Sequence, residues 1–443
     1  MKRLSLALIG IGLTHLALAA DLSDIYHQAQ SNDAAYASAR AAYRAGVEKL
    51  PQGRAGLLPQ ASLNANVLHN DTHSSLFGDM NYTSRGAGVT LTQPIYRKQN
   101  WEQYEQAKQQ VSVAEAQLAS AAQDLILRTA QAYFDVLQSQ DNINFVRAQK
   151  AAIGEQLAQA KRNFEVGTAT ITDSNEAQAR SDLASAQEIA ALNDLQIKQR
   201  ALQRIIGTLP PKLAVLGDKL QLAPPSPANM DEWIARAEQG SPTLKAQRAG
   251  YEIARREVAR NRAGHYPTLD AVASYSDNRN QNFGSFQLNT KNAMIGVEFN
   301  LPLYQGGLVG SRVREAVANQ DKAREDLEDA RRQVDLNTSQ AYLGVTSGEA
   351  QVKALEQALL SSQTSLDSTQ LGLEVGVRTT VDVLNAQQQL YSAKRDLAAA
   401  RYNYILSNLR LKAAAGTLSE TDLGEVDKWL VSSNSGVNPE TGQ

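Results

Sequence analysis

Five histidines and no cysteine occur among the 443 residues, so few side chains can carry nucleophile or metal chemistry. The one local cluster of metal-type ligands is His69, Asp71 and His73. Histidines four apart share a face on a helix, but this segment reads as a strand end or loop, where that spacing holds the rings further apart. Metal binding is therefore not expected there. No nucleophile–base pair, phosphate loop or His/Glu metal motif appears, so neither enzymatic activity nor a cofactor is expected. What remains is charge. Asp173 and Asp382 follow the matching stretches Glu165-Val166-Gly167 and Glu374-Val375-Gly376, and Arg378 stands where the matching position, 378−209 = 169, is alanine. A charge present at only one of two matched turns suits an asymmetric ion pair. Without further context, such a surface pair is worth about 0.2–1 kcal/mol.

The matching is chain-wide. Leu57-Leu58-Pro59-Gln60-Ala61-Ser62-Leu63 resembles His265-Tyr266-Pro267-Thr268-Leu269, with the prolines 267−59 = 208 apart. Gln93-Pro94-Ile95-Tyr96 pairs with Leu301-Pro302-Leu303-Tyr304 at 302−94 = 208, and Gly207-Thr208-Leu209 returns as Gly416-Thr417-Leu418 at a shift of 209. A register held this long marks a tandem duplication. The copies are expected at 20–209 and 228–420, joined by a proline-rich, ordered or partly ordered linker at 210–227 and followed by a tail at 421–443.

Proline placement separates the elements within each copy. None occurs between Pro94 and Pro210 or between Pro302 and Pro439, and both intervals are rich in strong helix formers. Long helices are predicted over about 97–206 and 306–415. Val111, Ala114, Leu118, Ala121, Leu125, Ala132 and Val136 keep a 3–4 spacing, as do Leu327, Ala330 and Val334, which predicts coiled-coil seams. Glycine turns at Val166-Gly167-Thr168 and Val375-Gly376-Val377 break these helices, and Thr172 or Thr379 is expected to cap the helix that follows. Arg97 to Phe164 is 68 residues, a reach on the order of 100 Å if helical.

Ahead of the helices, Ala87, Val89 and Leu91 alternate with Gly88, Thr90 and Thr92, and Ala293, Ile295, Val297, Phe299 and Leu301 with Gly296, Glu298 and Asn300. That period predicts hairpins with one apolar and one wet face, at about 60–93 (60–72 with 83–93) and about 267–301 (267–278 with 291–301). Their tips, 73–80 and 278–289, read as polar loops. Four strands are too few for a membrane barrel, which takes about eight, so the chain must assemble with copies of itself if the hairpins enter a membrane. Tyr82, Tyr275, Phe283 and Phe286 are candidates for an aromatic girdle at the membrane surface.

The first residues, Met1-Lys2-Arg3 followed by an apolar run and Ala17-Leu18-Ala19, predict a secretory signal peptide over 1–19. Later stretches offer no apolar run long enough for a transmembrane helix, so any insertion is by strands. The net charge of −2 becomes −2 −2 = −4 without Lys2 and Arg3, which does not suit nucleic-acid binding.

Several of these residues together resemble the TolC family of outer-membrane channels: the paired strand starts, Gln93-Pro94-Ile95-Tyr96, Leu301-Pro302-Leu303-Tyr304-Gln305-Gly306-Gly307, Arg162-Asn163-Phe164-Glu165-Val166-Gly167, the run from Val375 to Leu384, and Ala400-Arg401-Tyr402-Asn403-Tyr404. The resemblance spans nearly the whole mature chain. It implies an α+β membrane protein, a homotrimer whose twelve strands form an outer-membrane β-barrel and whose coiled-coil helices form a periplasmic α-barrel. It implies an exit duct for drug efflux and type I protein secretion, in contact with outer-membrane lipid, a periplasmic adaptor (membrane fusion) protein and an inner-membrane efflux pump or ABC transporter.

By the same resemblance, a periplasmic gate falls on Thr172 and Asp173, which bond Arg378 on a neighbouring helix, with Asp382 facing the pore. The family's second pore carboxylate aligns with Asn385 and its gate tyrosine with Leu373, so a single acidic ring from Asp382 is expected to attract cations less than a double one. Val166, Gly167, Val375 and Gly376 fall at the helix tips that meet the adaptor. A structural coiled-coil assembly of the cell surface would explain the helices but not the two hairpins.

Overall fold

The computed structural model describes residues 19–75, 78–168, 170–217, 220–283 and 286–431, with only the backbone for residues 74, 280–283 and 286–288. Residues 1–18 of the expected signal peptide, Ala169 and residues 432–443 therefore lie outside the described residues, as do the side chains of Phe283 and Phe286. The first copy runs α1 (Leu22–Asn32), α2 (Ala34–Val47), α3 (Lys49–Ala55), β1 (Gln60–Ser74), β2 (Gly78–Tyr96), α4 (Lys98–Glu165) and α5 (Ile171–Ile206). After it come β3 (Val215–Leu216), α6 (Met230–Gly240), α7 (Pro242–Arg262), β4 (Thr268–Phe283), β5 (Phe286–Asn300), α8 (Leu308–Glu374), α9 (Thr380–Ala414), α10 (Glu420–Asp427) and β6 (Leu430–Val431).

The backbone divides into two compact units, each drawing on both copies: Ser38–Ser120 with Glu238–Val334, and Met1–Ala37 with Ala121–Ala237 and Asp335–Gln443.

The first of these holds a single antiparallel sheet in the order β1-β2-β4-β5. The two hairpins thus join edge to edge through β2 and β4, leaving one edge of β1 and one of β5 unpaired among the described residues. Register puts the sequence alternation in step across all four strands. Ala61, Leu91, Ala273 and Ile295 form one row and Leu63, Val89, Tyr275 and Ala293 the next, while Ser62, Thr90, Ser274 and Met294 lie on the opposite face. The apolar face is uncovered: Leu63 is 74% exposed and Ile295 89%. The strands run further toward the tips than the alternation suggested, because ladder hydrogen bonds need no apolar face and the asparagine-rich ends continue to pair. Parity also corrects the girdle assignment of Tyr82, which pairs with Asn70 on the polar face, whereas Tyr275 is on the apolar one.

Where the strands meet the helices, Arg97 forms a two-pronged bond to Asp270, Nε to Oδ1 at 2.8 Å and Nη2 to Oδ2 at 2.5 Å. One turn into α4, the Glu102 carboxylate lies between Lys98 at 2.5 Å and Arg256 at 3.2 Å. Burial acts to raise its pKa, but those two cations outweigh burial and hold it low.

The other unit contains the tip halves of the long helices and most of the buried core. Leu22, Ile25, Leu125, Tyr133, Leu202, Ile206, Ile405 and Leu423 are almost wholly buried, each side chain of this kind worth roughly 1.5–3 kcal/mol of burial. The predicted seam is buried here at Leu125, Ala132 and Val136. The linker contributes β3, which pairs with β6 from the far end of the chain. Tyr133 secures this corner, its hydroxyl donating to the carbonyls of Ala214 at 2.8 Å and Ala20 at 3.2 Å. The Asp427 carboxylate accepts from the Leu22 amide at 2.9 Å and from the Ser23 hydroxyl, fastening α10 onto the start of α1.

Candidate functional site

Both helix pairs turn at the glycines that the sequence singled out. Gly167 and Gly376 adopt left-handed φ of 78° and 81°, a conformation that disfavours a Cβ. The closing bonds are alike: Thr168 N–H to the Asn163 carbonyl at 2.8 Å, and Val377 N–H to the Gly372 carbonyl at 2.8 Å. Both are Schellman-type ends. Beside them Val166 is 73% exposed and Val375 66%, large apolar side chains left open among the described residues.

The following helices start with reciprocal capping boxes. Thr379 caps α9 as predicted, its hydroxyl accepting from Asp382 N–H at 3.2 Å while Asp382 Oδ2 accepts the Thr379 N–H at 2.9 Å. In the first copy the cap is Thr170, not Thr172. Asp173 Oδ2 accepts from Thr170 N–H at 3.1 Å and from its hydroxyl at 2.8 Å. The box needs the acid three residues after the threonine, which Thr172 cannot satisfy. The repeat would have revealed this, since 379−209 = 170. The Thr379 amide and then its hydroxyl hold the Asp382 carboxyl below the usual range, with Arg378 adding a smaller pull.

These turns surround one cleft of about 890 Å³, lined by Asp173, Leu373 and Arg378 among others. Arg378 is exposed and, among the described residues, makes no ion pair within the chain. Asp173 and Asp382 commit only Oδ2 to their caps, so each keeps Oδ1 for another partner. Thr172, Asp382 and Asn385 lie outside that lining.

Asn385 instead belongs to a network that the sequence reading missed. Arg180 donates from Nη2 to Asn385 Oδ1 at 3.1 Å, from Nη1 to Gln388 Oε1 at 2.7 Å and from Nε to Glu176 Oε1 at 3.0 Å, binding α5 to α9. Its only sequence signal was an i,i+4 Glu–Arg spacing, which many exposed helix faces share. At the sheet tip, His73 Nδ1 bonds Asp79 across the hairpin at 2.5 Å, and no group of metal-type ligands assembles among the described residues.

A sheet apolar on one face, with both outer edges unpaired among the described residues, in a chain that also holds long helical pairs is the architecture of an outer-membrane channel protein. The chain belongs to the outer membrane efflux protein family, whose profile matches residues 25–208 and 233–417. It is 38% identical to outer membrane protein TolC of Vibrio cholerae, over 93% of this chain and 94% of that one. To alkaline protease secretion protein AprF of Pseudomonas aeruginosa it is 33% identical, over 98% and 92%. Its fold is shared with the CmeC outer membrane channel of Campylobacter jejuni, at a TM-score of 0.78 and 16% identity over 92% of this chain and 89% of that one.

Proposed function

We propose that the chain is one protomer of a homotrimeric exit duct for tripartite drug efflux and type I protein secretion. The observation that carries this reading is the open-edged sheet. Unpaired N–H and C=O groups on β1 and β5 cannot remain bare in hydrocarbon, where each costs several kcal/mol. In the order β1-β2-β4-β5 adjacent strands alternate in direction, so β5 of one copy can pair with β1 of the next antiparallel, and the sheet closes by repetition. Three copies give 3 × 4 = 12 strands, and the relatives' printed names in efflux and protease secretion support the role in export.

The gate of this duct is assigned to Thr172, Asp173, Arg378, Asp382 and Asn385. Arg378 is the latch: with no ion pair of its own among the described residues, it meets an Asp173 carboxylate whose Oδ1 the Thr170 cap leaves open. Val166, Gly167, Val375 and Gly376 form the docking tips for an adaptor's hairpins, and an inner-membrane pump or ABC transporter supplies the energy. The two copies, 20–209 and 228–420, give inequivalent helix pairs, one of which can move while the other stays.

The deciding experiment is to purify the full chain in detergent, measure its mass, and record current in planar bilayers. A trimer that conducts is expected. A monomer, or an assembly that never conducts, would return the choice to a structural coiled-coil of the cell surface.

A further inference from the structure

On the apolar face of the sheet, the rows toward the tips end in charge. Above Leu63-Val89-Tyr275-Ala293 comes Ala65-Ala87-Asp277-Lys291, and above that Val67-Arg85-Arg279-Asn289. Arg85 and Arg279 are direct cross-strand partners. Like charges so opposed destabilise a sheet unless something answers them. Asp277 answers Arg279 alone, Nη2 to Oδ2 at 3.1 Å and Nε to Oδ1 at 3.3 Å. Arg85 has no ion-pair partner within the chain among the described residues. Arg85, Arg279 and Lys291 against Asp277 leave 3 − 1 = +2 on this patch. The alanines between the guanidinium row and the apolar rows leave an open hollow of about 390 Å³, bordered by Ala65, Val67, Arg85, Ala87, Arg279 and the Asp277 carboxylate that Arg279 neutralises.

We propose that this hollow recognises the phosphate of an outer-leaflet lipid headgroup. Arg85 offers an unoccupied guanidinium fork to phosphate oxygens, and Arg279, whose Nε and Nη2 hold Asp277, adds its remaining Nη1 donors. The small alanines leave room for the headgroup, and the exposed rows of Leu63, Val89 and Ile295 receive acyl chains. At about 3.3 Å per residue the arginines stand roughly 13 Å along the strand from Tyr275, the girdle candidate on this face, and so lie beyond the apolar rows on the side of the headgroups. The opposing arginines, which weaken the isolated sheet, become a reason for the channel to hold lipid. This inference rests on the reading that the apolar face meets the bilayer.

The test is native mass spectrometry of the purified full-length channel with three probes: a bisphosphorylated, acylated glucosamine disaccharide lipid, its dephosphorylated form, and inorganic phosphate. The phosphorylated lipid is expected to bind about tenfold more tightly than the dephosphorylated one, as loss of one charged hydrogen-bonded contact implies. Arg85→Gln with Arg279→Gln should erase that preference and the paired lysine substitutions retain part of it. Equal binding of both lipids by the native channel overturns the inference, as does an unchanged preference in a double glutamine variant that still assembles. Complete displacement by inorganic phosphate at matched concentration also overturns it, in favour of a free-anion site. If the variants fail to assemble, the native comparison decides alone. Failure to bind either lipid, together with absence of conductance, would instead defeat the membrane reading itself.

Discussion

Arg180 on α5 donates from Nη2 to Oδ1 of Asn385 on α9 at 3.1 Å, while its Nε holds Glu176 at 3.0 Å. Glu176 and Asn385 occupy equivalent positions in the two copies, since 385−209 = 176, so one guanidinium joins a residue to its own repeat counterpart. Substitution of Arg180 by alanine should therefore loosen both helices together. Hydrogen exchange followed by mass spectrometry is expected to rise in the first turns of α5 and α9 alike. Arg180→Lys should recover only part of the protection, because an ammonium cannot present a planar fork to three acceptors. A rise confined to α5 would mean that the cross-helix bonds contribute nothing.

The gate assignment makes a separate demand. Arg378→Ala and Asp173→Ala should each raise the ion current of the closed channel in planar bilayers, because each removes one half of the same latch. Asp173→Ala also removes the acid of the Thr170 box, so Thr170→Ala is the control: it weakens that cap by about 1 kcal/mol but leaves the carboxylate in place. Currents unchanged in both latch variants, or raised equally by Thr170→Ala, would end the assignment.

At the tips, backbone and side chain have different roles. Gly376→Ala places a Cβ on a φ of 81°, which should cost about 1–2 kcal/mol of local stability. Val166→Asp and Val375→Asp leave the turn intact but put charge where an apolar contact is proposed. The expected result is a normal trimer with normal current and about tenfold weaker adaptor binding, measured by titration calorimetry. Adaptor affinity unaffected by both charges would relocate the docking surface.

These contrasts also show what could be read from the residues alone. Alternation at Ala293–Leu301 and the absence of proline after Pro302 were enough to predict β5 and α8, because side-chain period and helix breakers are local properties. The edge-to-edge pairing of β2 with β4 was not readable, since main-chain ladders between distant segments leave no residue signature. Nor were β3 and β6, at two residues each too short to establish a period. The face of Tyr82, a girdle candidate by residue type alone, was not readable, because only a continuous register decides parity. Thr170 was overlooked although the repeat pointed to it, and Arg180 was legible only as one more charge on a helix.

A half-buried carboxyl supplies a pH test within the core unit. Asp141 accepts a 2.6 Å hydrogen bond from the Tyr402 hydroxyl, yet burial dominates and raises its pKa. A carboxyl raised in this way binds its proton more tightly folded than unfolded. Its contribution to stability is then full below the unfolded value and is lost as pH rises through the folded one. Asp141→Asn keeps an acceptor for Tyr402 without the charge. Its thermal midpoint should exceed that of the native chain at neutral pH, with the gain vanishing below the ordinary value of 3.8. A variant less stable at neutral pH would contradict this assignment.

The two faces of the sheet can be told apart by placing the same charge on each. Ile295 lies in the apolar row with Ala61, Leu91 and Ala273, while Thr90 lies in the polar row with Ser62 and Ser274. If the apolar row faces hydrocarbon, Ile295→Lys should cost about 1–3 kcal/mol of insertion free energy, between the amounts expected for a lysine near the interface and at the bilayer midplane. Thr90→Lys, facing a water-filled lumen, should insert nearly as well as the native chain and instead shift the pore toward anions, because its amine adds positive charge beside the conduction path. Folding into vesicles, monitored by heat-resistant trimer on gels, measures the first effect, and reversal potential in a salt gradient the second. Equal tolerance of both lysines would mean that neither face meets lipid, since only a hydrocarbon boundary makes the position of a charge decisive while leaving its chemistry the same.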